Sequence, residues 1–173
     1  AKPLGCYGDG GAVFTNNKEY AEIIKMMRIH GQNKRYYHKY IGMGGRLDTI
    51  QAAILLAKLK FYKNELIVRQ NVADRYSDAL RDFITTPVIK KNRSSAWAQY
   101  TIRVAERNRV QAALQAASVP TAVYYPLPLN RQPAVAAPDA VVPHSDKAAE
   151  EVISLPMHPY ITPETQDRII AAV

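Results

Sequence analysis

The sequence predicts an α/β fold built from parts of different texture, and three observations carry that prediction. Residues 46–86 contain neither glycine nor proline and hold a recurring apolar stripe, the pattern of one long or bent helix. A glycine-dense start, Ala1-Lys2-Pro3-Leu4-Gly5-Cys6-Tyr7-Gly8-Asp9-Gly10-Gly11, leads into the apolar run Ala12-Val13-Phe14, which reads as a short buried strand. After Pro87 strand-like and helix-like periods alternate, as they do in a small α/β domain.

In chain order, the first strand covers about Gly11 to Thr15, and Asn17 is a fitting N-cap for a helix over Lys18–Ile29. Tyr20, Ile23, Ile24, Met26 and Met27 fall close to helical spacing, and Gly31 marks the stop. Residues 32–45 show no clean period and are rich in Tyr, Lys and Gly. They read as a long loop, a kind of segment that is disproportionately functional. The long helix opens near Leu47, with Ile50, Ala53, Ile54, Ala57 and Leu59 along a stripe whose alanines admit another helix closely. It continues through Ile67, Ala73, Tyr76 and Leu80 to about Asp82, either straight or bent near Lys63-Asn64.

Beyond Pro87, Trp97–Val104 alternates as a strand and Arg107–Ser118 places Val110, Ala113, Leu114 and Ala117 on one helical face. Thr121–Tyr125 reads as another strand, cut off by Pro126 and Pro128. Residues 133–143 form an Ala/Pro-rich loop, and Ser145 is expected to cap a helix reaching Ile153. Ser154–Pro159 is extended, and Thr162 caps a last helix with Pro163 at its first position. The chain shows no internal repeat and no low-complexity tract.

Composition narrows the class. The chain has 173 residues, 47% of them hydrophobic, which is ordinary for a globular protein, and no apolar stretch approaches a membrane span. A single cysteine, Cys6, excludes an internal disulfide framework and fits a reducing compartment. The 23 Lys and Arg residues against 15 Asp and Glu leave a net charge of +8. That excess is scattered, with its densest group at Lys34, Arg35 and Lys39 among Tyr36, Tyr37, His38 and Tyr40. Such a patch is a solvated loop, a nucleic-acid surface or a cradle for a pyrophosphate-bearing substrate, since cations beside aromatic rings suit a base and a diphosphate. The four histidines lack metal-ligand spacing, Ser94, Ser95 and Ser145 lack a nucleophile elbow, and no P-loop or dinucleotide fingerprint is present.

Lys2 is the residue with chemical potential. A lysine amine held on a turn, desolvated or near another cation, is a nucleophile that can form a Schiff base with a carbonyl compound. Most lysines, by contrast, are solvated surface charges.

Lys2-Pro-Leu-Gly-Cys-Tyr-Gly-Asp-Gly-Gly-Ala resembles the segment around the cofactor lysine of the DegT/DnrJ/EryC1/StrS family, pyridoxal-phosphate (PLP) sugar aminotransferases of fold type I. Arg28-Ile-His-Gly31, Gly45-Arg-Leu-Asp-Thr-Ile-Gln-Ala-Ala53 and Ser154-Leu-Pro-Met-His-Pro159 match it in the same order. The likeness covers essentially the whole chain and is greatest to the branch that aminates UDP-linked 3-keto-hexuronic acids for lipopolysaccharide. It implies that residues 1–46 end a large PLP-binding domain, 47–86 form a long connecting helix and 87–173 a small C-terminal α/β domain. The family places its cofactor lysine near the middle of a chain about twice as long. The sequence is therefore expected to be a C-terminal portion, inactive alone.

The resemblance also implies roles. Lys2 would carry PLP as an internal aldimine and then shuttle a proton between substrate and cofactor carbons. Residues 41–46, Ile-Gly-Met-Gly-Gly-Arg, are similar to a Gly-x-Asn-x-Arg turn that reaches across a homodimer to the neighbour's PLP phosphate. Gly44 stands where asparagine is usual, leaving only a backbone N–H for phosphate. Arg46 would grip the sugar carboxylate, and Tyr124, in Val123-Tyr-Tyr-Pro126, would line the sugar pocket, although a core aromatic is an equal reading. Glutamate is the implied donor and the cytoplasm the implied location, with neither nucleic acid nor membrane as partner. A sugar dehydratase of the same fold would replace Lys2 by histidine. The rival from another class is a non-catalytic binding or assembly module, of which Gly44 would be the sign.

Overall fold

A computed structural model describes residues 2–173, and Ala1 lies outside the described residues. The chain divides into two compact units at Tyr62/Lys63. Helices and strands are mixed in it, in keeping with the α/β class.

The first unit is held by local backbone hydrogen bonds. Helix α1 (Lys18–Met27) begins where the Asn17 side chain accepts the N–H of Tyr20 at 3.2 Å, the expected cap. Its end turns back through His30 and Gly31, both with positive φ (64° and 74°). A Cβ on Gly31 would lie 1.8 Å from the Tyr40 carbonyl oxygen, so glycine is required there. Residues 32–45 are more ordered than a loop. Strands β1 (Gln32–Lys34) and β2 (Tyr37–His38) pair antiparallel as a hairpin, with Tyr36 at φ 68° in its turn. The returning segment then bonds back to the end of α1, Met43 N–H to the Met27 carbonyl at 2.9 Å and Gly45 N–H to the Arg28 carbonyl at 2.8 Å. The periodicity of so short a hairpin is too brief to register in sequence.

The strand expected at 11–15 does not form. Its residues pair with no other described strand, and Phe14 is 92% exposed. An apolar run becomes a strand only with a neighbouring ladder.

Helix α2 (Thr49–Leu80) is continuous, as residues 47–82 predict. In the second unit its later half presents Val72, Ala73, Tyr76 and Leu80 at helical spacing to strands β3 (Tyr100–Arg103) and β4 (Val152–Leu155). The strands pair antiparallel, Tyr100 opposite Leu155 and Ile102 opposite Ile153, so all four side chains enter one core. Helix α3 (Arg107–Ala116) adds Leu114 and helix α5 (Pro163–Ala172) adds Ile169. Each such side chain stabilises the fold by about 1.5–3 kcal/mol through burial. Tyr76 and Tyr100 stack with centroids 5.0 Å apart. Their hydroxyls are satisfied, Tyr76 donating to the Pro156 carbonyl at 3.0 Å and Tyr100 sharing a hydrogen bond with Ser77 at 2.8 Å. Burial pushes both phenols above their ordinary range. Thr162 caps α5 by accepting the Thr165 N–H, with Pro163 in the first turn as expected.

Three boundaries differ from expectation. Trp97 precedes the strand instead of opening it. Its φ of 46° is left-handed, and α2 pins it there through Arg69 to its carbonyl (3.0 Å) and Gln70 to its indole N–H (2.7 Å). Residues 121–125 form only a two-bond bridge, Ala122 with Ser154, because Pro120 and Pro126 deny the ladder its donors. Helix α4 (Pro143–Glu151) starts at Pro143, so Ser145 lies inside its first turn, and Val152–Ile153 belong to β4. The Ala/Pro-rich stretch before it holds two short 3₁₀ turns, Leu129–Arg131 and Pro133–Val135.

Candidate active site

Lys2, Gly44 and Arg46 all lie in the first unit, and Tyr124 lies in the second. Lys2 is exposed and precedes Pro3 through a cis peptide bond. The glycine-rich turn that follows is fastened to α2. Gln51 Oε1 accepts the Tyr7 N–H at 2.8 Å, and Lys58 Nζ donates to the Gly5 carbonyl at 2.6 Å. The approach is close: a Cβ on Gly8 would stand 3.3 Å from the Gln51 amide nitrogen, and one on Gly10 would stand 3.2 Å from Leu47. Cys6 Sγ donates to the Gly8 carbonyl at 3.0 Å, a turn-packing role rather than that of a disulfide partner. Sequence reasoning missed Gln51 and Lys58. Their seven-residue spacing, two turns along one helix side, was the available signal.

Gly44 sits in an antiparallel bridge with Ile29 whose hydrogen bonds are made by the flanking residues, His30 N–H to the Met43 carbonyl (3.0 Å) and Gly45 N–H to the Arg28 carbonyl (2.8 Å). In that pairing the central residue's own N–H points away from its partner strand. It makes no hydrogen bond among the described residues. The His30 ring covers the position where a Gly44 side chain would begin, 3.3 Å from an added Cβ. Arg46 is exposed just ahead of α2.

On the hairpin each cation lies over a tyrosine ring, Lys34 over Tyr37 (5.2 Å), Arg35 over Tyr36 (5.0 Å) and Lys39 over Tyr40 (5.4 Å). The charges are thereby held outward on an exposed, aromatic-lined edge. In the second unit Tyr124 is half-buried and meets Tyr125 edge to face at 5.9 Å, across a cis peptide bond. His158 is exposed and accepts the Tyr160 N–H at 3.1 Å. Among the described residues no group of three or more His, Cys, Asp or Glu could hold a metal, and no helix is long and apolar enough to cross a membrane.

The residues present fit part of a PLP site. They offer an exposed lysine side chain ahead of an anchored turn and a backbone N–H of the kind that can meet a phosphate.

The chain is 53% identical over 174 residues to UDP-2-acetamido-2-deoxy-3-oxo-D-glucuronate aminotransferase of Pseudomonas aeruginosa, covering all of this chain and 48% of that protein. The crystal structure of a DegT DnrJ EryC1 StrS aminotransferase from Brucella abortus superimposes with a TM-score of 0.92 at 42% identity, over 98% of this chain and 47% of that one. NtdA from Bacillus subtilis, solved with bound cofactor PMP, matches with a TM-score of 0.81 at 27% identity, over 91% of this chain and 39% of its own. The chain thus spans about half the length of the relatives it matches. The model of the DegT/DnrJ/EryC1/StrS aminotransferase family matches residues 1–173 from end to end, and the chain belongs to that family.

Proposed function

We propose that this chain supplies the cofactor-lysine half of a PLP-dependent aminotransferase acting on a nucleotide-linked keto-sugar, a UDP-3-keto-hexuronic acid. The observation that carries the reading is Lys2 on a glycine-bent turn anchored to α2, in a chain 53% identical to an aminotransferase of a UDP-linked 3-oxo-glucuronate. When bound, PLP supplies the electron sink that lets a carbon-bound proton leave.

The chain's own residues divide the remaining work. The Lys2 amine holds the cofactor covalently and, once displaced, accepts and returns a proton at Nζ. The Gly44 N–H contributes one donor to phosphate, a weaker grip than a side-chain amide added to it would give. Arg46 pairs its planar guanidinium with the sugar carboxylate, a bidentate geometry lysine cannot reproduce. The Lys34/Arg35/Lys39 hairpin neutralises the diphosphate while its tyrosines offer faces to the base. Tyr124 closes one wall of the sugar pocket. Glutamate as donor, a homodimer sharing its sites, lipopolysaccharide or O-antigen synthesis and a cytoplasmic setting complete the reading. Neither nucleic acid nor membrane is called for as a partner.

The test is transamination from glutamate to the UDP-linked 3-keto-hexuronic acid. This chain alone is expected to be inactive. Joined to the first half of the Pseudomonas relative, it is expected to turn over, with Lys2→Ala abolishing the rate. Turnover that survives Lys2→Ala refutes the assignment of Lys2.

A further inference from the structure

We propose that Gln51 and Lys58 are positioning residues that set where the Lys2 amine stands. The proposal rests on the reading of Lys2 as the cofactor lysine. The two side chains lie two turns apart on one side of α2, about 10 Å along the helix axis, and each grips the backbone of the lysine turn instead of another side chain. Gln51 takes the Tyr7 N–H at 2.8 Å, and Lys58 spends its ammonium on the Gly5 carbonyl at 2.6 Å. Immobilising a lysine side chain costs up to about 2 kcal/mol of rotamer entropy, so a lysine tied to a neutral carbonyl is an expensive way merely to hold a surface loop.

The link from this clamp to Lys2 is short. Only Pro3 and Leu4 separate Lys2 from Gly5, and proline fixes its own φ near −65°. Few soft torsions remain between the clamped carbonyl and the amine-bearing residue, so displacing Gly5 displaces Lys2. Gly8 and Gly10 permit the contact, since side chains there would meet Gln51 and Leu47. Among the described residues of this unit no apolar side chain is buried to do the same job.

The experiment uses the 173-residue chain and two readouts. Hydrogen exchange reports residues 3–10. Reductive labelling with pyridoxal 5′-phosphate and borohydride, mapped by mass spectrometry, reports Lys2 against the chain's other exposed lysines. Gln51→Ala and Lys58→Met should each speed exchange in 3–10 by about fivefold, the loss of one hydrogen bond. They should also lower Lys2 labelling toward the average of the other lysines. Gln51→Glu, which keeps an acceptor, and Lys58→Arg, which keeps a donor, should retain most of the labelling. The thermal transition seen by Trp97 fluorescence should not move in any variant.

Unchanged exchange in both variants overturns the clamp. Faster exchange with unchanged Lys2 labelling overturns the positioning role and leaves a structural tether. Lys2 labelling no greater than average in the unsubstituted chain sinks the cofactor-lysine reading, and the positioning role with it, while the exchange data still decide whether the clamp exists.

Discussion

The two units are held together in opposite ways. In the second, Tyr76, Tyr100, Ile102, Leu114 and Ile153 are fully buried around a two-stranded ladder. In the first, no large apolar side chain is buried among the described residues, and Phe14, Ile41, Ile50, Leu56 and Phe61 all stand more than 60% exposed. Its shape comes from backbone bonds, such as the Gly31 reversal, and from the two side-chain clamps on the lysine turn. The early half of α2 makes the point sharply. Ile50, Ile54 and Phe61 share one side while Leu55 and Leu59 occupy the opposite side, so Leu59 does not belong to the single stripe expected of it, and the distribution suits a helix covered all round. The unit that carries Lys2, Gly44 and Arg46 therefore keeps its geometry by hydrogen bonds, and the unit that carries Tyr124 keeps it by packing.

Core truncation should break the comparison most visibly. Leu114→Ala or Ile102→Ala is expected to cost about 2–5 kcal/mol, whereas Leu56→Ala or Phe14→Ala should stay within about 0.5 kcal/mol. Urea denaturation followed by Trp97 fluorescence measures both, and equal losses would erase the distinction. The next effect belongs to the first unit. Gly31→Ala drives a Cβ into the Tyr40 carbonyl and adds the strain of a positive φ, about 1–3 kcal/mol on its own. Hydrogen exchange should show Lys39, Tyr40 and Met43 amides losing protection while β3 and β4 keep theirs.

The smallest effect sharpens the contrast from the chemical side. Burial raises the Tyr76 and Tyr100 phenols above their ordinary value of 10, so the unfolded chain releases those protons first. Their contribution is complete below about pH 10 and declines as pH rises toward the folded values. Each phenol then removes at most about 1.4 kcal/mol per pH unit. Stability measured from pH 9 to 11 should fall for the second unit, and Tyr76→Phe should remove that residue's share of the slope. A rise with pH would contradict the burial.

Much of this was legible in advance, and particular residues show why. Asn17 and Thr162 announce helix starts because a cap is a local exchange between one side chain and an amide three residues on. The length of α2 follows from forty-one residues, 46–86, without a breaker. The motif around Lys2 and the run through Arg46 identify the family that the comparisons establish. Residues 11–15 have the composition of a strand but no described neighbour to pair with, and Trp97 has the alternation of a strand but is turned aside by Arg69 and Gln70. Gln51 and Lys58 offered only their seven-residue spacing as a signal, since their partners are backbone atoms more than forty residues away.

The sequence alone determined the class, the helices, the Asn17 and Thr162 caps, and the chemistry Lys2 can offer, because each depends on residue type and on neighbours within a turn or two. Only the tertiary structure decided which apolar runs became strands, where the hairpin folded and what fastened the lysine turn to α2. Those depend on hydrogen-bond partners brought from distant positions, and a backbone carbonyl or N–H looks the same at every residue until the fold selects one.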